Sequence, residues 1–158
     1  PLVDADVTAA YVSWMNDPEV TRYLMAGRVP QTAETIRAFL GSLDDEAMAI
    51  EVYGRHVGNV MVRAVDPIGQ IAEVGIMLGD RSCWGAGVAS TALRTFTADL
   101  FTRRAFKKLW AGTCNPSCAR LFRRCGWAEE GCQRAHAYLA GQWCDHWLFG
   151  IFPWMPVR

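Results

Sequence analysis

The segment that most constrains this chain runs from Ala72 to Ala89 and reads A-E-V-G-I-M-L-G-D-R-S-C-W-G-A-G-V-A. A strand-like apolar run ends at Leu78, a short polar turn follows, and W-G-A-G-V-A leads into an amphipathic helix. Gly85 and Gly87 have no side chains, so backbone N–H groups can close around a phosphate. The segment from Gly85 to Ala89 contains no Ser, Thr, Asp or Asn to cap the helix, which leaves its first N–H groups free. Strand, glycine turn and uncapped helix together predict a pyrophosphate-binding turn.

Length and composition indicate one globular domain spanning residues 1–158. Apolar residues make up 51% of the chain, which is enough for a sizeable core. Sixteen basic residues balance sixteen acidic ones, a balance that argues against a general nucleic-acid binder. Apolar runs stay shorter than the roughly 18 residues that a membrane span needs, and the first residues lack a signal-peptide pattern. We therefore expect a cytoplasmic protein without a membrane partner.

The chain contains six cysteines, an even number that permits disulfides. The apolar content makes such cross-links unnecessary, so we expect free thiols. A zinc site built from Cys114, Cys118 and either His136 or His146 is the alternative. Because the chain has no C-x-x-C pair, and 114 and 118 are spaced like one helical turn, the sequence favours no metal.

Apolar periodicity and turn residues predict helices and strands that alternate along the chain. Most predicted strands are neighbours in sequence, which indicates an α/β (α+β) fold with a mixed sheet. Helices are predicted at 11–15, 20–25, 32–43, 86–101 and 115–125, and strands at 47–53, 56–65, 70–78, 107–114, 133–139 and 143–152.

Three segments together resemble the GNAT superfamily of acyl-CoA-dependent N-acetyltransferases, in particular its RimJ/RimL-like branch. They are W-M-N-D-P-E-V-T-R-Y-L at 14–24, W-G-A-G-V-A at 84–89, and N-P-S-C-A-R-L-F-R-R-C-G-W at 115–127. The resemblance covers nearly the whole chain. It implies a mostly antiparallel sheet of six to seven strands flanked by helices, splayed between the strands around 70–78 and 107–114.

The resemblance also implies that acetyl-CoA is the co-substrate. Backbone N–H groups of the glycine turn would hold its pyrophosphate, and strand N–H groups in the splayed gap would meet the pantetheine arm and the thioester oxygen. Trp84 stands where many members carry Gln or Arg, and the amide of Asn115 can hold the pantetheine chain. The implied cofactor-binding residues are Met77, Leu78, Trp84, Gly85, Ala86, Gly87, Val88, Ala89, Asn115 and Phe122.

Glu73 is the candidate general base. Strand alternation puts it on the face opposite Val74, Ile76 and Leu78, the expected core face. A base is useful because an alkyl amine with a pKa of about 10 is mostly protonated at neutral pH. In several members a strand glutamate at a similar position serves as the base, and here it would act through a water molecule. The alternative is a glutamate that faces solvent or pairs with an arginine.

The proton for the leaving thiolate has no obvious donor, because Phe122 stands where many relatives place a tyrosine. Cys118 lies one turn earlier, at the position matching a serine in RimL-like enzymes, so Cys118 or solvent is the candidate donor. A covalent acyl-cysteine route through Cys118 is a further alternative, although direct transfer is usual in the family.

The predicted function is acetyl transfer from acetyl-CoA to a primary amine, either of a small molecule or of a peptide or protein N-terminus. The alternative, which the missing tyrosine at 122 favours, is a catalytically silent acyl-CoA-binding module. Seven tryptophans also allow an exposed apolar patch and a homodimer.

Overall fold

The computed structural model describes residues 4–43 and 46–156 of the chain. Its helices and strands alternate broadly as predicted from the sequence. The helices are α1 (Ala9–Asn16), α2 (Pro18–Thr21), α3 (Ala33–Gly41), α4 (Val88–Arg104) and α5 (Pro116–Arg124), with short 3-10 helices at Asp4–Asp6, Met25–Arg28 and Arg81–Cys83. The strands are β1 (Ala47–Val52), β2 (Arg55–Asp66), β3 (Ile71–Leu78), β4 (Lys108–Thr113), β5 (Ala128–Leu139) and β6 (Gln142–Ile151).

The strands described form one six-stranded sheet in the order β1-β2-β3-β4-β6-β5. Four neighbouring pairs are antiparallel, and the central β3–β4 pair is parallel. The helix α4 makes the connection that a parallel pair requires. This arrangement confirms the predicted mixed, mostly antiparallel sheet flanked by helices.

The main core lies between one face of the sheet and the helices α4 and α5. Ala72 and Val74 of β3 are buried there against Leu93 and Leu100 of α4 and Phe122 of α5. Ile76 and Leu78 pack against the same core, which confirms the expected core face of β3.

The opposite face of the sheet is covered by the N-terminal helices. Tyr11 and Ile36 form a second apolar cluster there, and Met77 of β3 packs against it. Asp17 caps α2 by accepting a hydrogen bond from the N–H of Glu19, with Pro18 in the first turn as the sequence predicts. Glu73 lies on the same face of β3 as Met77 and is nearly buried.

Among the element boundaries that differ from the predictions, three have a local backbone cause. The predicted helix 20–25 is instead α2 followed by the 3-10 helix Met25–Arg28, because the backbone of Leu24 is extended. Helix α4 begins at Val88 rather than 86, because Gly87 has a left-handed φ of 83°. Strand β5 begins at Ala128 rather than 133, because the strand continues through two register shifts that interrupt its alternation.

All six cysteines are free, as expected from the composition. None of the helices in residues 4–43 and 46–156 combines the length and the apolarity needed to cross a lipid bilayer.

Candidate active site

The centre of the site is the place where β3 and β4 separate. The two strands pair only at Ile71 with Lys108, at Ala72 with Leu109 and at Glu73 with Trp110. Beyond Glu73 the β3 residues pair with β2 alone, so the sheet is open on the other edge of β3. The predicted splay between the strands around 70–78 and 107–114 is confirmed.

The open edge of β3 presents backbone groups to this gap. Gly79 donates its N–H to the carbonyl of Val57 on β2, at 2.9 Å. Because hydrogen-bonded and non-hydrogen-bonded pairs alternate along an antiparallel ladder, the backbone of Leu78 faces the gap while that of Met77 faces β2. Met77 contributes its side chain to the site instead.

The turn predicted to bind a pyrophosphate contains two glycines with left-handed backbones. Gly85 and Gly87 have φ angles of 76° and 83°, in the left-handed region that side chains disfavour. A Cβ added at either glycine would meet nothing within 4 Å, so the space outside the turn is open. Gly87 is the N-cap of α4 and makes no side-chain capping bond, which leaves the first-turn N–H groups directed at that space. The turn therefore fits an anionic diphosphate.

Trp84 joins the turn to β3. Its indole Nε1 donates a hydrogen bond to the carbonyl of Leu78 at 2.9 Å, and the guanidinium of Arg81 lies 5.7 Å from its ring centroid. Trp84, which stands where many family members carry Gln or Arg, thus links the start of the turn to the open edge of β3 by a hydrogen bond. About half of the ring remains exposed beside the glycines.

A cleft of about 840 Å³ lies on the face of the sheet that carries Glu73. It reaches from the splayed strands to the N-terminal helices and the β5–β6 hairpin. Arg28 donates to the backbone carbonyl of Tyr138 at 2.9 Å, which ties the N-terminal segment to that hairpin. Apolar and aromatic side chains form much of the wall, namely Tyr11, Met15, Tyr23, Leu24, Met25, Phe39, Met61, Met77, Tyr138 and Trp143.

Glu73 is nearly buried in the wall of this cleft, with 9% of its surface exposed. It pairs directly with Arg63 across β2 and β3, and the Nη2 atom of Arg63 lies 2.6 Å from its Oε1 atom. The arginine side chain is half-exposed. One oxygen of the carboxylate is therefore held by Arg63. The sequence analysis treated pairing with an arginine as the alternative to a place at the substrate side, and the structure shows Glu73 both paired and lining the cleft.

His146 occupies the cleft wall across β4 from Glu73. Its Nδ1 lies 2.9 Å from Oε1 of Gln133, and its ring stacks on His136 with centroids 5.0 Å apart. A Cβ on Gly112 would lie only 2.5 Å from Nε2 of His146, so the ring fits because residue 112 is glycine. Burial and the neighbouring His136 lower the pKa of His146, while the charge of Glu73 acts in the opposite direction.

Helix α5 contributes the remaining predicted residues. Asn115 caps the helix, with its Oδ1 accepting from the N–H of Ser117 at 2.9 Å, so the NH₂ group is the part of its amide that the cap does not use. Cys118 and Phe122 lie one turn apart, and both line the cleft. The ring of Phe122 is 2% exposed and stacks on Phe149 at 5.3 Å, so it forms part of the core floor of the cleft.

The thiol of Cys118 is protonated at neutral pH. Burial raises its pKa to about 11, and a hydrogen bond with Thr113 only partly offsets this rise. A protonated thiol can donate a hydrogen bond but is a poor nucleophile. This state favours the donor role over an acyl-cysteine route.

Asn59 is a polar group of the cleft that the sequence analysis did not single out. It is fully buried, and its Oδ1 lies 2.7 Å from Nε2 of His56, while its Nδ2 has no hydrogen-bond partner in the part of the chain that the structure describes. Arg63 was also missed as the specific partner of Glu73. Both residues follow from alternation along β2, which places Asn59, Met61 and Arg63 opposite Met77, Gly75 and Glu73.

Within residues 4–43 and 46–156, no three His, Cys, Asp or Glu side chains lie close enough together to hold a metal ion. Cys114 is buried beside Leu139 and Cys144, in a small apolar cluster. The zinc ligands considered from the sequence are thus not gathered into a site in the described part of the chain.

Residues 1–139 match the sequence family described as the acetyltransferase (GNAT) domain. None of the curated proteins matches the chain. Among solved structures, the chain is similar to RimL, the ribosomal L7/L12 alpha-N-protein acetyltransferase in complex with coenzyme A. The TM-score is 0.84 at 18% identity, with 96% of this chain and 90% of that chain covered.

Two further structures show the same architecture. The ribosomal-protein-alanine N-acetyltransferase of Brucella melitensis has a TM-score of 0.79 at 20% identity, with 96% of each chain covered. The spermidine N-acetyltransferase of Vibrio cholerae, in complex with CoA and spermine, has a TM-score of 0.81 at 19% identity, with 96% of this chain and 92% of that chain covered. At these identities the likeness establishes the fold.

Proposed function

This chain belongs to the acetyltransferase (GNAT) domain family, and on that premise we propose direct acetyl transfer from acetyl-CoA to a primary amine. The observation that carries the proposal is the order of three features along one segment: Glu73 in the cleft wall, the edge of β3 left unpaired by β4 beyond it, and the open glycine turn that follows β3. A phosphate site, a thioester site and a proton acceptor then follow one another in the order that such a transfer needs.

In this proposal the pyrophosphate binds the backbone N–H groups of Gly85, Ala86, Gly87, Val88 and Ala89. Positive φ angles and the absence of a cap support this assignment. The N–H of Leu78 polarises the thioester carbonyl, since it faces the gap. Trp84 and the NH₂ group of Asn115 border the pantetheine arm, while Met77 and Phe122 supply apolar contacts.

Glu73 is proposed as the base that prepares the amine, acting through a water molecule. Arg63 occupies one carboxylate oxygen and leaves the other for such a water. An alkyl amine with a pKa of about 10 arrives mostly as ammonium. A carboxylate in a nearly buried wall attracts this cation, and through the water it can accept the proton that the amine must lose. The neutral amine then attacks the thioester carbonyl.

The departing thiolate takes its proton from Cys118 or from solvent. The leaving thiol has an ordinary pKa of about 8.5, whereas the pKa of Cys118 is about 11. Proton transfer from Cys118 to the leaving thiolate is therefore unfavourable by roughly two pKa units. We therefore assign Cys118 a supporting hydrogen bond to the sulfur and assign delivery of the proton chiefly to solvent.

For the acceptor, we propose an amine with a single positive charge attached to an apolar body. Among the described residues that line the cleft, Glu73 is the one carboxylate, and Arg63 already balances it. A polyamine would place several positive charges in a wall that offers them no further partner. A peptide N-terminus and a small apolar amine both meet the requirement.

The test is an acetyl-CoA thermal-shift measurement followed by thiol release across a panel of amines. Binding with thiol release from at least one amine supports the proposal. Binding without any release supports instead the silent acyl-CoA-binding module, which Phe122 in place of a tyrosine favours. No binding of acetyl-CoA would overturn both versions.

A further inference from the structure

The imidazole of His146 is built into the cleft wall in a fixed orientation. Its Nδ1 is hydrogen-bonded to Gln133, and its face stacks on His136. Its Nε2 lies over Gly112, where a side chain would clash with the ring. The ring is only partly exposed, so it does not simply extend into solvent. Such restraint is what a positioned acid or base requires.

We propose that Nε2 of His146 is the final acceptor of the proton that Glu73 draws from the amine through its water molecule, a role that rests on the acetyl transfer proposed above. The proton leaves the ammonium nitrogen, passes through the water polarised by Glu73, and forms the Nε2–H bond of an imidazolium. The amine keeps its lone pair for the attack, and the imidazolium later returns the proton to solvent.

The tautomer supports this role. Oε1 of Gln133 is an acceptor, so the Nδ1 of His146 that faces it at 2.9 Å carries the proton. The lone pair of the neutral ring is then on Nε2, the nitrogen above Gly112 at the splayed end of β4. The hydrogen bond to Gln133 therefore leaves the basic nitrogen over β4, beyond the residues of β4 that pair with β3 and within a ring that lines the cleft.

The charged groups around His146 favour a neutral ring that can still accept a proton. On β5, His136 opposes a second positive charge, and Gln133 is neutral. From β3, Glu73 favours the imidazolium, with Arg63 behind it on β2. On β6 itself, Asp145 is paired with Arg134 at 2.6 Å and also accepts from the N–H of Ala135. On balance the pKa of His146 is lowered, so the base form predominates at neutral pH.

The experiment is a set of pH–rate profiles for the wild-type protein and three variants, measured with one amine that the wild type acetylates. The titration of the amine itself is common to all profiles, so differences between profiles report on the enzyme. Acetyl-CoA thermal shifts on each variant confirm that it folds and binds the co-substrate.

His146→Gln is expected to lower kcat by about 100-fold and to remove the rise in activity that accompanies deprotonation of the imidazole. Gln133→Glu is expected to move that rise to higher pH by about one unit, because a carboxylate at Nδ1 stabilises the imidazolium. His136→Gln is expected to move it in the same direction by a smaller amount, because a repulsive neighbour is removed.

A folded, acetyl-CoA-binding His146→Gln protein with the wild-type rate and profile would overturn the assignment. So would a Gln133→Glu protein whose profile does not move. A wild type that releases no thiol with any amine contradicts the proposed function instead, and the two failures are therefore distinguishable.

Discussion

Nη2 of Arg63 lies 2.6 Å from Oε1 of Glu73, in a directly opposed pair on the face of the sheet that lines the cleft. The pair joins the one described carboxylate of the cleft to a half-exposed cation. Loss of the carboxylate therefore removes the negative charge from the site while leaving an arginine that water can still solvate.

Glu73→Gln is expected to lower kcat at neutral pH by at least tenfold, with little change in acetyl-CoA affinity. The free energy of unfolding should fall by only about 1 kcal/mol, since the remaining arginine is half-exposed. Steady-state kinetics and thermal shift measure the two effects. Glu129→Gln is the matched control, because Glu129 pairs with Arg123 at 2.6 Å outside the cleft. Equal rates for the two variants would remove Glu73 from the chemistry.

Gly87→Ala is expected to weaken acetyl-CoA binding by about tenfold, because a left-handed backbone disfavours a side chain and the turn must shift. Gly54→Ala provides the control, since Gly54 has a φ of 74°, equally open surroundings and a position in the β1–β2 turn. Both variants should lose about 1 kcal/mol of stability, and only Gly87→Ala should change the Kd measured by calorimetry. Equal affinities would contradict the pyrophosphate assignment.

Gly112→Ala is expected to lower kcat nearly as much as His146→Gln does. The new Cβ would lie 2.5 Å from Nε2, so the imidazole must leave its place. Gly131→Ala is the control in β5, where an added Cβ meets nothing within 4 Å. If Gly112→Ala retained the wild-type rate while folding normally, the placement of His146 would not matter for turnover.

The thiol of Cys118 is expected to resist alkylation in the folded protein. With a pKa of about 11, about one thiol in ten thousand is ionised at pH 7. Peptide mapping after iodoacetamide treatment should find Cys118 unmodified until the protein is denatured, when an ordinary thiol pKa near 8.5 is restored. Cys118→Ala should reduce kcat by less than about tenfold, since solvent can deliver the proton. A loss of a thousandfold would make the thiol the principal acid.

A singly charged apolar amine or peptide N-terminus should be acetylated with a higher kcat/KM than spermidine. The reason is the charge of the cleft wall, in which Glu73 is the one described carboxylate and Arg63 balances it. Thiol release at matched concentrations measures the ratio. A preference for spermidine would require further acidic groups to face the acceptor and would reject the proposed acceptor class.

The local pattern of residues was sufficient to predict the strand, the glycine turn and the uncapped helix around Gly85 and Gly87. Their backbone geometry depends mainly on glycine's freedom at positive φ and on the lack of a capping side chain, both of which are local properties. The buried face of β3 was also predictable, because strand side chains alternate strictly. The start of β5 was not, since its register shifts interrupt that alternation.

What the sequence by itself determined is the set of elements and the open glycine turn between β3 and α4. The tertiary structure alone decided which distant residues meet: Arg63 with Glu73 across β2 and β3, and His146 of β6 above Gly112 of β4. Such contacts between residues distant in sequence depend on strand order and register. Those are set by burial of whole sheet faces rather than by the local preferences of the residues concerned.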